Sequence, residues 1–286
     1  MFDKLMKQYG QKIVTNVTFF DSERYFYFRN EFDELFGIEK GIAQNEYELI
    51  KMIYVEKTFY SNDATNQAMY EYIYESKKFP LPYQNYKFII VTDKAHKPIS
   101  KPVEEEILNI LKDVLGEIIV LDVKGSKVIF FFDRYDTNFE DLFMTISSDF
   151  YLDFIVHEGI IFQSEERFMQ SYIEAYQKLF VKRMKSVTNV CDLVMMALST
   201  LDMKIVFFLK KVIIRGIFEE EGVVQIVQAL FQSNLNISQA SKELYMHRNT
   251  LISKLDQIKK QTGIDLQNFK QASIIHFIIQ LKEDTN

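Results

Sequence analysis

The chain has 286 residues, 48% hydrophobic and 26% charged, a globular mix long enough for two or three domains. Its apolar runs, such as 205–209 and 274–279, are too short to span a bilayer, and MFDKLMKQYG at the start lacks the apolar core and cleavage site of a signal peptide. A cytoplasmic protein without membrane association is therefore expected, and its net charge of −6 leaves any nucleic-acid footprint local.

Residues 1–82 read as a first α/β unit of unassigned role. Tyr25-Phe26-Tyr27-Phe28 is β-prone and flanked by charge, which predicts a strand. Glu46–Tyr60 predicts a helix with a stripe of Leu49, Ile50, Ile53 and Tyr54. A second helix, Ala64–Ser76, carries Ala68, Met69, Tyr72 and Ile73 on one side. The aromatic density of Phe19, Phe20, Tyr25, Phe26, Tyr27, Phe28, Phe32 and Phe36 suits a small core or a docking surface; a ligand pocket is the other use. Two prolines within Lys77–Pro82 mark the boundary.

Residues 83–183 alternate strand and helix. Tyr86–Val91 predicts a strand, Val103–Leu115 a helix introduced by Pro98 and Pro102, and Glu117–Val123 with Lys127–Phe132 a hairpin about Lys124-Gly125-Ser126. Asn138 caps a helix from Phe139 to about Asp149; Leu152–Val156 is a strand; Ser164 caps a long helix, Glu165–Val181. The order β-α-β-β-α-β-α predicts a ferredoxin-like arrangement of two split crossovers.

Residues 184–216 predict two further helices, Val187–Leu201 and Met203–Gly216, a linker or dimerisation segment. The second is apolar around too much of its circumference for a lone surface helix, so bundling or a subunit interface is its natural use. The single cysteine, Cys191, lies among Val190, Leu193 and Val194 and reads as a small buried hydrophobe rather than a reactive thiol.

The most informative stretch lies in the last part, 217–286. Glu219–Asn234 predicts a supporting helix and Asn268–Leu281 a closing one. Between them, Ile237, Ala240 and Leu244 line one short helix, capped by Ser238 or Asn236; Leu251, Leu255 and Ile258 line the next, stopped by Gly263. The connector Tyr245-Met246-His247 is too short for a free loop and places Met246 in the angle between the helices. That is the layout of a helix-turn-helix, whose second helix enters the major groove of DNA. From His247 to Lys260 four cations (Arg248, Lys254, Lys259, Lys260) face one acid, Asp256, whereas the preceding thirty residues are net acidic. An antiparallel helical pair with a solvated charged face has the same pattern.

The stretch 236–266 resembles the C-terminal helix-turn-helix of the PucR/CdaR family of bacterial transcriptional regulators. HRNTL at 247–251 and T-G-x-D-L at 262–266 carry the resemblance. It is also similar to the Fis-type module, whose second helix contacts bases from its start. The resemblance implies base contacts from His247 and Arg248, with Asn249 and Thr250 beside them. The full set of candidate DNA-facing residues is Asn236, Ser238, Gln239, His247, Arg248, Asn249, Thr250, Ser253 and Lys254. Where the family usually continues Arg-Tyr-Arg after the leucine, this chain has Ile252-Ser253-Lys254.

The middle portion is similar to the degenerate GGDEF-like domain of the same family, through the hairpin at 124–132 and SYIEAYQKL at 171–179. Gly125-Ser126-Lys127 stands where an active cyclase has paired glycines and acids, and Asp93, Asp122 and Asp133 have no metal-binding motif around them.

The fold class expected is thus α+β and multidomain: a first α/β unit, a ferredoxin-like, GGDEF-like middle domain, and an all-α C-terminal domain. The function expected is sequence-specific binding of double-stranded DNA by a homodimer, modulated by a small-molecule effector or a partner. The alternatives are an adaptor whose helix-turn-helix binds protein instead, and a nucleotide cyclase-like enzyme. No cofactor or metal is expected: the four histidines are scattered, and neither a phosphate-binding glycine loop nor a nucleophile elbow occurs.

Overall fold

The computed structural model describes residues 2–15, 17, 24–32, 34–57, 63–80, 85–95, 99–132, 137–163, 167–180, 185–218 and 222–281. The chain divides into two compact units, Met1–Pro80 and Leu81–Asn286. Among the described residues no helix is long and apolar enough to cross a membrane.

The first unit opens with α1 (Phe2–Tyr9) and a single 3₁₀ turn, Gly10–Lys12. An antiparallel sheet follows from β1 (Ile13–Thr15), β2 (Tyr25–Arg29), β3 (Leu35–Glu39) and β4 (Val55–Lys57), in the order β1-β3-β2-β4. α2 (Gln44–Ile53) precedes β4, and α3 (Ala64–Tyr74) follows it, capped by the Asp63 carboxylate on the Thr65 and Asn66 amides. The core is aromatic and aliphatic: Phe28, Phe36, Ile38, Ile50 and Tyr54 are buried, with Phe2, Phe26 and Tyr47 packed against them. Phe28 and Phe36 are therefore core residues, while Phe32 is exposed; Phe19 and Phe20 lie outside the described residues.

The helix expected over 46–60 ends at Ile53. Its stripe divides, with Ile50 and Tyr54 buried and Leu49 and Ile53 exposed. Tyr54 turns extended, and 55–57 pair antiparallel with Arg29, Phe28 and Tyr27. A free edge on β2 outweighs helical spacing here, because each pairing satisfies backbone groups that a frayed helix end would leave to water.

In the second unit, β5 (Asn85–Asp93), α4 (Lys101–Leu115), β6 (Ile118–Val123), β7 (Ser126–Phe131), α5 (Phe139–Phe150) and β8 (Phe154–Glu158) follow one another. The strands stand in the order β8-β5-β7-β6, every neighbouring pair antiparallel. Lys124 and Gly125 close the β6–β7 hairpin with φ of 48° and 82°, the paired left-handed conformation that suits a right-twisted two-residue hairpin. Asn138 caps α5 as expected, accepting from Glu140 and Asp141.

Strand alternation divides the side chains between two faces. Ile89, Val91, Ile129, Phe131, Phe154 and Val156 pack with α4 and α5 in one core. Phe88, Ile90, Phe130, Ile155 and His157 point the other way, towards α6 (Met169–Leu179), which buries Tyr172, Ile173 and Tyr176. α6 starts at Met169, after a non-helical Arg167-Phe168; Ser164, expected to cap it, lies outside the described residues. Just before that gap, β9 (Phe162–Gln163) pairs with Asn85 and Tyr86.

A second departure follows. Residues 187–189, expected to begin a helix, form β10 (Val187–Asn189), which pairs in parallel with Val156–Glu158 at the sheet edge. α7 (Val190–Ser199) starts at the next residue, its amides capped by Asn189 with Asp192 bonding back to the cap. Cys191 is buried, and burial pushes its thiol up to about 12, consistent with an inert packing role. α8 (Met203–Phe218) packs against α7 and the helices that follow, with Val206, Leu209, Val212 and Ile213 buried. Its apolar circumference thus serves bundling within the chain.

Candidate nucleic-acid interface

Four helices make up the C-terminal portion: α9 (Val223–Gln232), α10 (Ile237–Glu243), α11 (Arg248–Thr262) and α12 (Phe269–Gln280). Asn236 begins α10 by accepting from the Gln239 amide, so of the two possible caps it is Asn236 that acts. Ser238 is exposed, and its carbonyl accepts from the Ser241 hydroxyl.

The turn between α10 and α11 is a Schellman motif. The Met246 amide donates to the Ser241 carbonyl (2.9 Å) and the Tyr245 amide to that of Lys242 (3.1 Å), with Tyr245 at φ 52°. The left-handed residue at this place is usually glycine; here it is a tyrosine, 98% exposed. Nothing in the apolar spacing signals it, because the motif constrains φ rather than hydrophobicity. Met246 is half-buried.

α11 is anchored from beneath and exposed above. Leu251, Leu255 and Ile258 are buried, as is Ala240 on α10. His247, Arg248, Asn249, Thr250 and Ser253 are exposed, as are Asn236, Ser238 and Gln239 on the preceding helix. Ile252 and Lys254 are half-buried at the edges of this surface. The nine candidate residues therefore all come to α10, α11 or their caps, though Asn236 and His247 use their side chains for capping. Among the described residues no ion pair joins Arg248 to Glu243. The helix ends at Gly263, φ 72°, whose amide reaches the Lys259 carbonyl; a Cβ there would lie 3.8 Å from the Gly159 carbonyl of the sheet layer. Farther back, Lys270 of α12 pairs with Asp192 of α7, and Lys210 of α8 donates to the Leu281 carbonyl.

Residues 223–281 match the family model described as the PucR C-terminal helix-turn-helix domain. This portion of the chain is a PucR-type helix-turn-helix. The match starts at the first residue of α9 and ends one residue beyond α12, so the PucR-type domain comprises all four helices. Over 56 residues the chain is 39% identical to the carbohydrate diacid regulator of Escherichia coli (strain K12), covering 20% of this chain and 14% of that one. It is 25% identical over 151 residues to the uncharacterized protein YxkF of Bacillus subtilis (strain 168), 51% of each. The chain thus matches about half the length of the Bacillus subtilis protein and far less of the Escherichia coli regulator. A crystal structure of a regulator of polyketide synthase expression from Bifidobacterium adolescentis aligns over 70% of this chain and 82% of that one, at 13% identity and a TM-score of 0.34, too low to bear on the fold.

Elsewhere, the carboxylates considered for metal chemistry are dispersed. Asp122 and Glu104 meet the Lys127 ammonium at 2.6 and 2.5 Å. Burial alone would depress that lysine, but hydrogen bonds to Asp122 and Glu104 outweigh it and hold its pKa above the usual lysine range. The Asp93 carboxylate accepts from the Ala95 amide, and Asp133 lies outside the described residues. Among the described residues no group of three or more His, Cys, Asp and Glu converges on one point.

Proposed function

We propose that this chain is a sequence-specific, double-stranded-DNA-binding transcriptional regulator of PucR type and not an enzyme. The observation that carries the reading is the exposed row His247-Arg248-Asn249-Thr250, with Ser253 a turn later, over a buried Leu251-Leu255-Ile258 spine. Such a helix can enter a major groove by its start while its apolar face stays in the protein. Lys254 and Lys260 farther along α11 supply charge towards phosphate, while Lys259 is paired with Asp265. The helix-turn-helix likeness to the diacid regulator supports the same reading.

In this reading the chain partitions into 1–82, 83–183, 184–216 and 217–286. The middle part is a ferredoxin-like, GGDEF-like domain without catalysis, supported by the β8-β5-β7-β6 order with α4 and α5 as crossovers. A small-molecule effector or a partner acts on the first two parts. The regulator works in the cytoplasm as a homodimer, because one recognition helix reads only a few base pairs and specific sites pair two half-sites about one turn apart.

The test is selection of bound fragments from genomic DNA, followed by affinity for the recovered sequence and a scrambled duplex at several salt concentrations. Specific binding that weakens steeply with salt is expected. Equal affinity for both duplexes, or none for either, overturns the reading.

A further inference from the structure

We infer that the outer face of α12 docks a second copy of this chain, an inference that rests on the DNA-binding reading. The two closing helices pair antiparallel, with Ser273 at the two-fold axis and Phe269 of each chain against Phe277 of the partner subunit.

α12 has an inner and an outer side. Ala272, Ile274, Ile275 and Ile278 are buried and hold the helix to its own chain. Outside, Phe269 is 72% exposed and Phe277 43%, with the half-buried Ser273 midway between them. The spacing is i, i+4, i+8, so all three lie along one side, a ring one turn away in each direction from a small residue. That arrangement is its own complement. An antiparallel copy turned about Ser273 brings each phenylalanine to the other, and the small serine lets the two backbones approach. The Ser273 hydroxyl donates to the Phe269 carbonyl of its own helix, so burying it strands no donor.

Charge and spacing both favour a second copy over an unlike partner. A two-fold contact brings like charges together near its axis and therefore suits a neutral face. Among Asp, Glu, Lys and Arg, α12 holds only Lys270, whose ammonium is paired with Asp192 of α7. The helix packs on α7, α8 and α9, while α11 packs on α8 and α10, so α8 stands between the docking face and the reading helix. Packed helices lie about 8–10 Å apart. From one α11 through α8 and α12 to the same helices of a second copy is a path of at most about 40–50 Å. With a bend at α8 it matches the roughly 34 Å between half-sites one turn apart. One face of a twelve-residue helix buries less than the ~800 Å² a side of a standard interface. The pairing is therefore weak in free solution and is completed on DNA, where two half-sites hold the copies together.

The test uses the full chain and the duplex recovered by selection, with both half-sites or trimmed to one. Ser273→Cys under mild oxidation should give a covalent dimer on a non-reducing gel with the two-site duplex and little with the one-site duplex. The wild type is the control, since its single cysteine, Cys191, is buried. Phe277→Asp should melt like the wild type and keep its affinity for one half-site, yet bind the two-site duplex roughly tenfold more weakly. Phe269→Asp, at the more exposed position, repeats the measurement should Phe277→Asp melt lower. Met52→Asp, on the exposed side of α2, should change neither affinity. Wild-type two-site affinity in both phenylalanine variants, or no covalent dimer from Ser273→Cys on a two-site duplex it binds, overturns the inference while leaving the DNA reading intact. Loss of two-site affinity in Met52→Asp alone overturns it too, by moving the contact to the first unit. A wild-type chain that binds neither duplex removes the DNA reading itself.

Discussion

His157 and Tyr172 meet inside the sheet layer with no solvent contact, Nε2 to hydroxyl at 2.9 Å. On the other side of the ring, Nδ1 lies 3.0 Å from the Thr188 hydroxyl, which donates in turn to the Val156 carbonyl. With that proton committed, Nδ1–H donates to Thr188 and Nε2 accepts from Tyr172. Every polar atom of the ring is satisfied in the neutral form. The chain of bonds ties β8 and α6 to β10, the strand that runs directly into α7.

Burial pushes the His157 imidazole down to about 3, only partly offset by Asp192, while burial holds the Tyr172 hydroxyl protonated. The unfolded chain binds the histidine proton below about pH 6.5, and the folded chain resists it down to about pH 3. The stability due to neutral His157 is therefore fully present above pH 6.5 and is lost progressively as the pH falls towards 3. Its share of the loss between pH 7 and pH 5 is about 2 kcal/mol. Urea unfolding at the two pH values should show this, with a visibly flatter dependence in His157→Gln; an unchanged slope in the variant would assign the acid sensitivity elsewhere.

Gly159 follows β8 with the tip of the Phe88 ring against it: a Cβ there would lie 2.2 Å from Phe88 Cζ. The ring cannot retreat, since Phe130, Phe162 and Tyr172 surround it at centroid distances of 5.2–6.0 Å. Gly159→Ala should cost about 2–3 kcal/mol or more by overpacking, seen as a lower melting temperature. Gly10→Ala, with nothing within 4 Å of the added carbon, is the control expected to change little.

Tyr245 holds a left-handed backbone conformation that a side chain resists by about 1–2 kcal/mol, against roughly 0.5–1 kcal/mol of extra chain entropy lost by glycine. Tyr245→Gly should therefore stabilise the C-terminal helices slightly, by about 0.5–1 kcal/mol. A drop in melting temperature would mean that the exposed ring makes a contact worth more than the strain.

Arg248→Ala removes an exposed side chain with no core contacts, so the fold should hold while the preference for selected over scrambled DNA narrows by about 1–3 kcal/mol. Lys254→Ala should instead weaken both duplexes and reduce the salt slope by about one unit. An unaltered specificity ratio in Arg248→Ala would remove its base-reading role.

Local chemistry in the sequence was enough for the features that depend on neighbours a few residues apart. Asn138 and Asn236 cap the helices that follow them, Lys124-Gly125 turns a hairpin, and Leu251, Leu255 and Ile258 bury one face of α11. Each rests on side-chain size, φ tolerance or helical period, which one short segment contains entire. The tertiary structure decided the features that need a distant partner. Val187–Asn189 is a strand because the β8 edge is open beside it, and 55–57 become one because β2 is. His157 looks like a scattered histidine until Tyr172 and Thr188 arrive from 15 and 31 residues away. The circumference of α8 is apolar by composition, but only packing against α7, α9, α11 and α12 shows that the chain itself covers most of it. The exposed start of α11 depends on both: its residues were legible in order, and the buried spine beneath them determined which way they face.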